Sequence, residues 1–375
     1  MLPQVIFVQN SVHLAGAQKS LSRLLAAPTM ASHDPVLLTG EEGWLTEHCT
    51  HHGVPWVRVD FPASRSLAGR LWGVRFFAKH AVRSLKPLLK SGRPLIVHTN
   101  DHPDSLLGLA LAAELNANPV LTLRTPGMSE RDFAKYRCGR HRQLIAVGDE
   151  LCNKVRPWLK EGQPPLALVH NGVTEEEILP PAPMPEQNLD RVLVLGSIIP
   201  RKGWQDLVEA LLLLEKKLPE GPLPEFHFLG DLLGKDPAEV LQTRRLQRFN
   251  VRFLGTDKNY RDRLRSYPLA VHPSRSESFG MAALECVAAG VPLLAAGAGL
   301  IPEFIPKDAF LYPPQDVEAL ASRLEVLLPR SPTRLCEEFE FEEAHPTIRH
   351  RFATAATVAR IQAIYQTLLT PSVLA

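Results

Sequence analysis

Two glutamates and a basic pair are the residues of this chain whose types and spacing could do chemistry. Glu277 and Glu285 stand eight positions apart in ESFGMAALE, the first at the end of a polar loop, SRSES. The second is flanked by Ala282, Ala283, Leu284, Val287 and Ala288. The bare spacing is also that of two solvated helix carboxylates, but these flanks bury the second one. A carboxylate in so apolar a helix needs a hydrogen-bonding partner, and a ribose diol supplies one. Gly280 opens that helix, where backbone N–H groups left unpaired by the helix suit an anion such as a diphosphate. In LVLGSIIPRKGWQDLVEAL, Arg201 offers a planar fork and Lys202 a point charge, a combination that fits the same ligand. Gly16, at the turn in HLAGAQKSLSRLL, marks a third place where backbone could approach a phosphate.

These residues need strands and helices to hold them. PLAVHPS, SRSES, FGMAALECVAAG and PLLAA read as strand, loop, helix and strand, the helix closed by Gly290 and Pro292. The first half of the chain gives QVIFVQ, PVLLT, PWVRVD, PLIVHTN, PVLTLRT, QLIAVG and LALVHNG as strands separated by helical patterns. From Thr174 to Asp190 the pattern stops, and four prolines without apolar period read as a linker. A second series follows, with RVLVLGS, FHFLG, VRFLG, PLAVHPS, PLLAA and AFLYPP as strands. Strands alternating with helices predict an α/β fold of parallel sheets covered on both faces. Two such domains are expected, residues 1–175 and 176–349, with their sheets facing a cleft. The amphipathic helix in TIRHRFATAATVARIQAIYQTLL, within residues 350–375, is expected to pack back on the first. Ligands of such sheets collect at the carboxyl ends of strands, so the loops after Gln9, His98, Leu123 and Val147 are candidate site walls.

With 375 residues and 45% apolar content, the chain has the size and composition of a two-domain globular protein. MLPQVIFVQN lacks a basic leader, and no apolar run reaches the roughly 18–20 residues of a membrane span, so a cytoplasmic protein is expected. Five scattered cysteines without a C-x-x-C pair argue against a disulfide framework and a zinc site. Net charge is +2, yet residues 61–100 contain no acid and eight basic residues, Arg65 to Arg93. Leu67, Leu71, Trp72, Phe76 and Phe77 interleave with them, a pattern that suits either a sheet-covering helix with a solvated basic face or docking on an anionic membrane through residues 65–93. A second basic patch runs from Arg131 to Arg142. Neither patch carries a nucleic-acid motif.

GAQKSLSRLL, LVLGSIIPRKGWQDLVEAL, HNGV at His170 to Val173, and ESFGMAALECVAAGVPLLA together resemble the motifs of retaining GT-B glycosyltransferases of family 4. They occur in the family's order over nearly the whole chain. The resemblance implies two Rossmann-like domains, a nucleotide-sugar donor held mainly by the second, a glycan or lipid-linked acceptor held mainly by the first, and no required metal or other cofactor. It implies that Glu277 lies by the donor sugar and that Glu285 binds the nucleotide ribose. It also implies that Ser278, Phe279, Gly280 and Met281 present backbone N–H groups to the donor, while Arg201 and Lys202 neutralise the leaving nucleoside diphosphate. Two departures stand out. Ser197 occupies a position where the family commonly has Arg, and Ala15-Gly16 replaces a Gly-Gly pair. His98, matching the first histidine of a frequent H-x-H, joins Asn100 and Arg124 as acceptor-side candidates.

The expected activity is therefore transfer of a sugar, with retention, to a hydroxyl in lipopolysaccharide core or other envelope polysaccharide synthesis, at or near the inner face of the cytoplasmic membrane. A non-catalytic nucleotide-sugar-binding protein and a nucleotide-sugar epimerase are the competing expectations. A nicotinamide dehydrogenase is disfavoured, because no G-x-G-x-x-G follows the first strand of either half.

Overall fold

The computed structural model of the chain describes residues 1–61, 67–162, 164–184, 189–231 and 236–370, and the side chains of all of these except 67–72. The contacts divide it into two compact units, residues 1–172 with 353–375, and residues 173–352.

The described residues of the first unit form a seven-stranded parallel sheet: β1 (Gln4–Val8), β2 (Val36–Thr39), β3 (Trp56–Arg58), β4 (Leu95–Thr99), β5 (Asn118–Leu123), β6 (Gln143–Ala146) and β7 (Leu166–Leu168), in the order β3-β2-β1-β4-β5-β6-β7. Strand side chains alternate between faces, and here both faces are apolar. Phe7, Ile96, Val120 and Ile145 pack on one side with Leu21, Leu24 and Leu25 of the helix Gly16–Ala26. Ile6, Val8 and Val97 pack on the other with Phe77, Ala81, Leu107 and Leu111. Parallel strands need such cover on both sides, which is why they read as continuous apolar runs.

The second unit repeats the plan with β8 (Arg191–Leu195), β9 (Glu225–Leu229), β10 (Val251–Gly255), β11 (Ala270–His272), β12 (Leu293–Ala296) and β13 (Leu311–Tyr312), ordered β10-β9-β8-β11-β12-β13. Strand order reverses direction at β8, so the loops after β8 and β11 flank the switch point where ligands of open α/β sheets bind.

The C-terminal segment, expected as one helix, is two: Phe341–Arg351 and Thr354–Leu369. Between them Phe352 leaves helical geometry and stacks edge-on with Phe279 and Phe304 in the second unit. The following helix buries Val358, Ile361 and Tyr365 in the core of the first unit. The proline-rich segment from Thr174 begins with a one-turn helix, Glu175–Glu177, and Leu179 N–H donates to Ala288 O, so its first part is packed on the second unit.

In the helix Leu67–Leu85, Arg75, Phe76, Lys79 and Arg83 are exposed, Phe76 at 77%, while Phe77 is buried. Arg65 lies outside the described residues, as do the side chains of Leu67, Arg70, Leu71 and Trp72. Arg93 does not join a surface patch: its guanidinium pairs with Asp34 and donates to the carbonyls of Pro3 and Ser32, tying the N-terminus to the sheet. No helix of the described residues is long and apolar enough to cross a membrane.

Candidate functional site

In the second unit two loops are stitched together at the carboxyl edge of the sheet. β8 runs out at Gly196, a turn Pro200–Lys202 carries the basic pair, and Gly203 enters the helix Trp204–Glu215 with φ +66°. Only glycine suits that position, because a Cβ on Gly203 would lie 1.9 Å from the Pro273 carbonyl oxygen. The close approach lets the loop after β11 bond directly to the loop after β8. Arg275 N–H donates to Arg201 O (2.9 Å), and the Ser274 hydroxyl donates to the same carbonyl (3.3 Å). The Arg275 guanidinium grips the Asp206 carboxylate with Nε and Nη2, a two-pronged pair between the same two segments.

Glu277 is placed where the loops meet. Lys202 Nζ lies 2.5 Å from its Oε1, His272 Nε2 lies 3.1 Å from the same oxygen, and Arg201 Nη1 lies 3.4 Å from Oε2. Arg201 Nη1 also donates to Ser276 O at 2.7 Å, which fixes the guanidinium against the loop. Glu277 is only 6% exposed. Burial alone would raise its carboxyl, but the Lys202 ammonium, the His272 hydrogen bond and Arg201 outweigh it and hold the group well below the usual carboxylate range. The carboxylate is thus ionised, oriented by three side chains, and part of a cluster with a net positive charge.

Beyond Glu277, Gly280 enters the helix Met281–Ala288 with φ +100°, and a Cβ there would meet Ile301 Cγ1 at 2.7 Å. Gly299, φ +59°, passes beneath the loop so closely that a Cβ would lie 2.5 Å from Glu277 O. Ser278 and Met281 are buried, and the Phe279 ring is turned into the core against Phe352. Glu285 lies on the buried side of that helix. Ser197 is half-buried, and its carbonyl accepts from Trp204 Nε1 at 2.7 Å. Of the residues singled out in sequence, Glu277, Arg201 and Lys202 are therefore brought into contact. His272 and the Asp206–Arg275 pair were not singled out. A histidine ending a strand before proline was the signal for the first, and nothing in spacing marks the second.

In the first unit, Gly16 is exposed at the start of its helix. Asn100 and Arg124 meet: Arg124 Nε donates to Asn100 Oδ1 (3.0 Å), Arg124 Nη1 to Asn171 Oδ1 (2.6 Å), and Asn100 Nδ2 to Gln9 Oε1 (2.5 Å). The ends of β1, β4, β5 and β7 are linked through this chain. Burial pulls the Arg124 guanidinium down to about 10, still charged at neutral pH. His98, the other acceptor-side candidate, lies in the core of the first unit. It is 1% exposed, with Nδ1 2.5 Å from Tyr365 Oη and Nε2 2.7 Å from Thr122 Oγ1. Strand alternation turns its side chain onto the sheet face that the C-terminal helix covers, and both ring nitrogens are committed there.

Asp104 supplies a pH test of this edge. It accepts from Asn10 N–H at 2.8 Å, and burial, with Asp101 nearby, raises its carboxyl to about 6. A raised acid stabilises the fold when protonated, so its contribution is fully present below the ordinary value of 3.8 and is lost as pH rises through about 6. Asp104→Asn is expected to remove a stability decline of roughly 3 kcal/mol across that window, checked by urea unfolding at pH 4 and pH 7. An unchanged slope would show that Asp104 is not its source.

Residues 190–330 match the family model described as glycosyl transferases group 1. The chain is 29% identical over 236 residues to sulfoquinovosyl transferase SQD2 of Arabidopsis thaliana, covering 57% of this chain and 43% of that protein. It is 33% identical over 148 residues to the D-inositol 3-phosphate glycosyltransferase of Jonesia denitrificans, covering 37% and 35%. The matched part is thus less than half the length of either relative. Among solved structures, Anabaena Alr3699/HepE in complex with UDP and glucose superposes with a TM-score of 0.76 at 17% identity, covering 97% of this chain and all of that one. The likeness shows the fold, that of GT-B glycosyltransferases.

Proposed function

We propose that this protein is a retaining GT-B glycosyltransferase of family 4. It takes a sugar from a nucleoside-diphosphate donor and places it on a hydroxyl of a glycan or lipid-linked acceptor in envelope polysaccharide synthesis, with no metal or other cofactor. The observation that carries this reading is the Glu277–Lys202–Arg201 cluster at the carboxyl ends of β8 and β11. It lies inside the segment that the glycosyl transferases group 1 model matches. That HepE was solved with UDP and glucose on the same fold supports a nucleotide-sugar donor.

In this reading the diphosphate leaves while Lys202, Arg201 and the N–H groups opening the helix Met281–Ala288 stabilise its growing charge. The acceptor hydroxyl attacks from the face the diphosphate vacates, and a departing phosphate oxygen takes its proton. Glu277, held ionised by two cations, positions the sugar and is a poor base. Glu285 accepts from the ribose. Incubation with a panel of nucleotide sugars and a hydroxyl acceptor, followed by NMR of the product, is expected to show the donor's anomeric configuration kept. An inverted product would refute the front-face mechanism.

Exposed Phe76 among Arg75, Lys79 and Arg83 favours a peripheral position on an anionic membrane at its cytoplasmic face. Flotation with phosphatidylglycerol vesicles should carry the protein at low salt and release it at high salt. Failure to float at low salt would remove the membrane from the account.

A further inference from the structure

We infer that His272 is a positioning residue for Glu277: its ring donates Nε2–H to Oε1 and keeps the carboxylate in place when Lys202 turns toward an incoming phosphate. This rests on the nucleotide-sugar reading of the site given above.

Among the described residues, Lys202 Nζ at 2.5 Å and His272 Nε2 at 3.1 Å donate to Oε1 of Glu277, and they differ in how they respond to a ligand. Lysine is a point charge on a flexible stem, and a diphosphate competes with Glu277 for it. His272 cannot follow the phosphate in the same way. It is the last residue of β11, its backbone is in register with Ala295 of β12, and it is 2% exposed. Its ring is uncharged at neutral pH, because burial and the nearby Lys202 lower its pKa despite the Glu277 bond. A neutral donor feels the added anion far less than an ammonium does.

The tautomer follows from the partner. An ionised carboxylate only accepts, so the ring nitrogen facing it must carry the hydrogen. Without His272, Oε1 would lose the donor that does not follow the phosphate, and each donor arrival would loosen the carboxylate that orients the sugar. A shift of about 1 Å in such a group costs on the order of 100-fold in rate.

The test has one arm that needs no turnover. In protein carrying 15N-histidine, long-range proton–nitrogen spectra, with His272→Gln used to assign the signal, are expected to show His272 as the neutral Nε2–H tautomer at pH 7. An Nδ1–H tautomer or an imidazolium would overturn the inference, whatever the activity of the protein. In the second arm, His272→Leu is expected to lower kcat about 10- to 100-fold while UDP affinity changes less than about 3-fold, and His272→Gln, which keeps an N–H donor, recovers most of the rate. Equal rates for the Leu and Gln variants would also overturn it. A wild-type protein that binds UDP but transfers no sugar would refute the transferase reading, and the spectra would still decide the hydrogen bond.

Discussion

Lys202→Ala is expected to lower turnover of the preferred nucleotide sugar by about 100- to 1,000-fold, the usual loss when one preorganised donor to a developing anion is removed. Lys202 is set for that role by its surroundings. Its side chain is 13% exposed, it is anchored on Glu277, and Arg201 beside it is partly spent on Ser276 O. The substitution also strips a buried carboxylate of its nearest cation, which costs about 3–5 kcal/mol when such a pair is broken from one side. Melting of the variant must therefore be measured beside its rate. Lys202→Arg separates the two effects, since it keeps the charge against Glu277 but changes its geometry toward phosphate. A folded Lys202→Ala protein with wild-type turnover would remove leaving-group stabilisation from the mechanism.

Gly203→Ala is expected to be the most damaging small substitution in the site, at about 3 kcal/mol or more, with loss of donor affinity. The methyl would sit 1.9 Å from the Pro273 carbonyl oxygen at φ +66°, and the obstacle is backbone, which no rotamer change relieves. Pro273 leads directly into the segment that bonds Arg201 O, so separating the two loops would also separate Arg201 and Lys202 from Glu277. Gly92→Ala is the matched control. Gly92 has φ +74° with nothing within 4 Å of a Cβ, so only the conformational cost, about 1 kcal/mol, is expected there. Urea unfolding of both variants checks the difference, and equal losses would contradict the close-contact account.

The fold was legible because its inner strands are buried on both faces. Each of the apolar runs read as a strand, from QVIFVQ to AFLYPP, overlaps one of β1 to β13. The break at Phe352 was not legible, since no glycine or proline marks it and its cause is contact with Phe279 and Phe304, far away in sequence. The same distinction divides the site. Arg201, Lys202 and Glu277 sit in loops whose residue types announce an anion, and they do meet. His98 stood among the acceptor-side candidates because it matches the first histidine of an H-x-H pattern. Alternation alone could not say that Tyr365, from the last helix, would claim its ring. His272, the last residue of β11 in the second unit, turns instead to Glu277. Two histidines of like sequence setting thus differ through partners that lie 267 and 5 residues away.

Calorimetric titration with UDP, GDP and ADP, on the wild type and on Lys202→Ala and Glu285→Ala, measures donor binding at the Lys202–Glu277 cluster itself. One nucleoside diphosphate is expected to bind the wild type in the micromolar range, about −8 kcal/mol, and both variants are expected to bind it at least about 10-fold more weakly. Binding that both substitutions leave unchanged, or no binding of any nucleoside diphosphate by the folded wild type, would contradict the account.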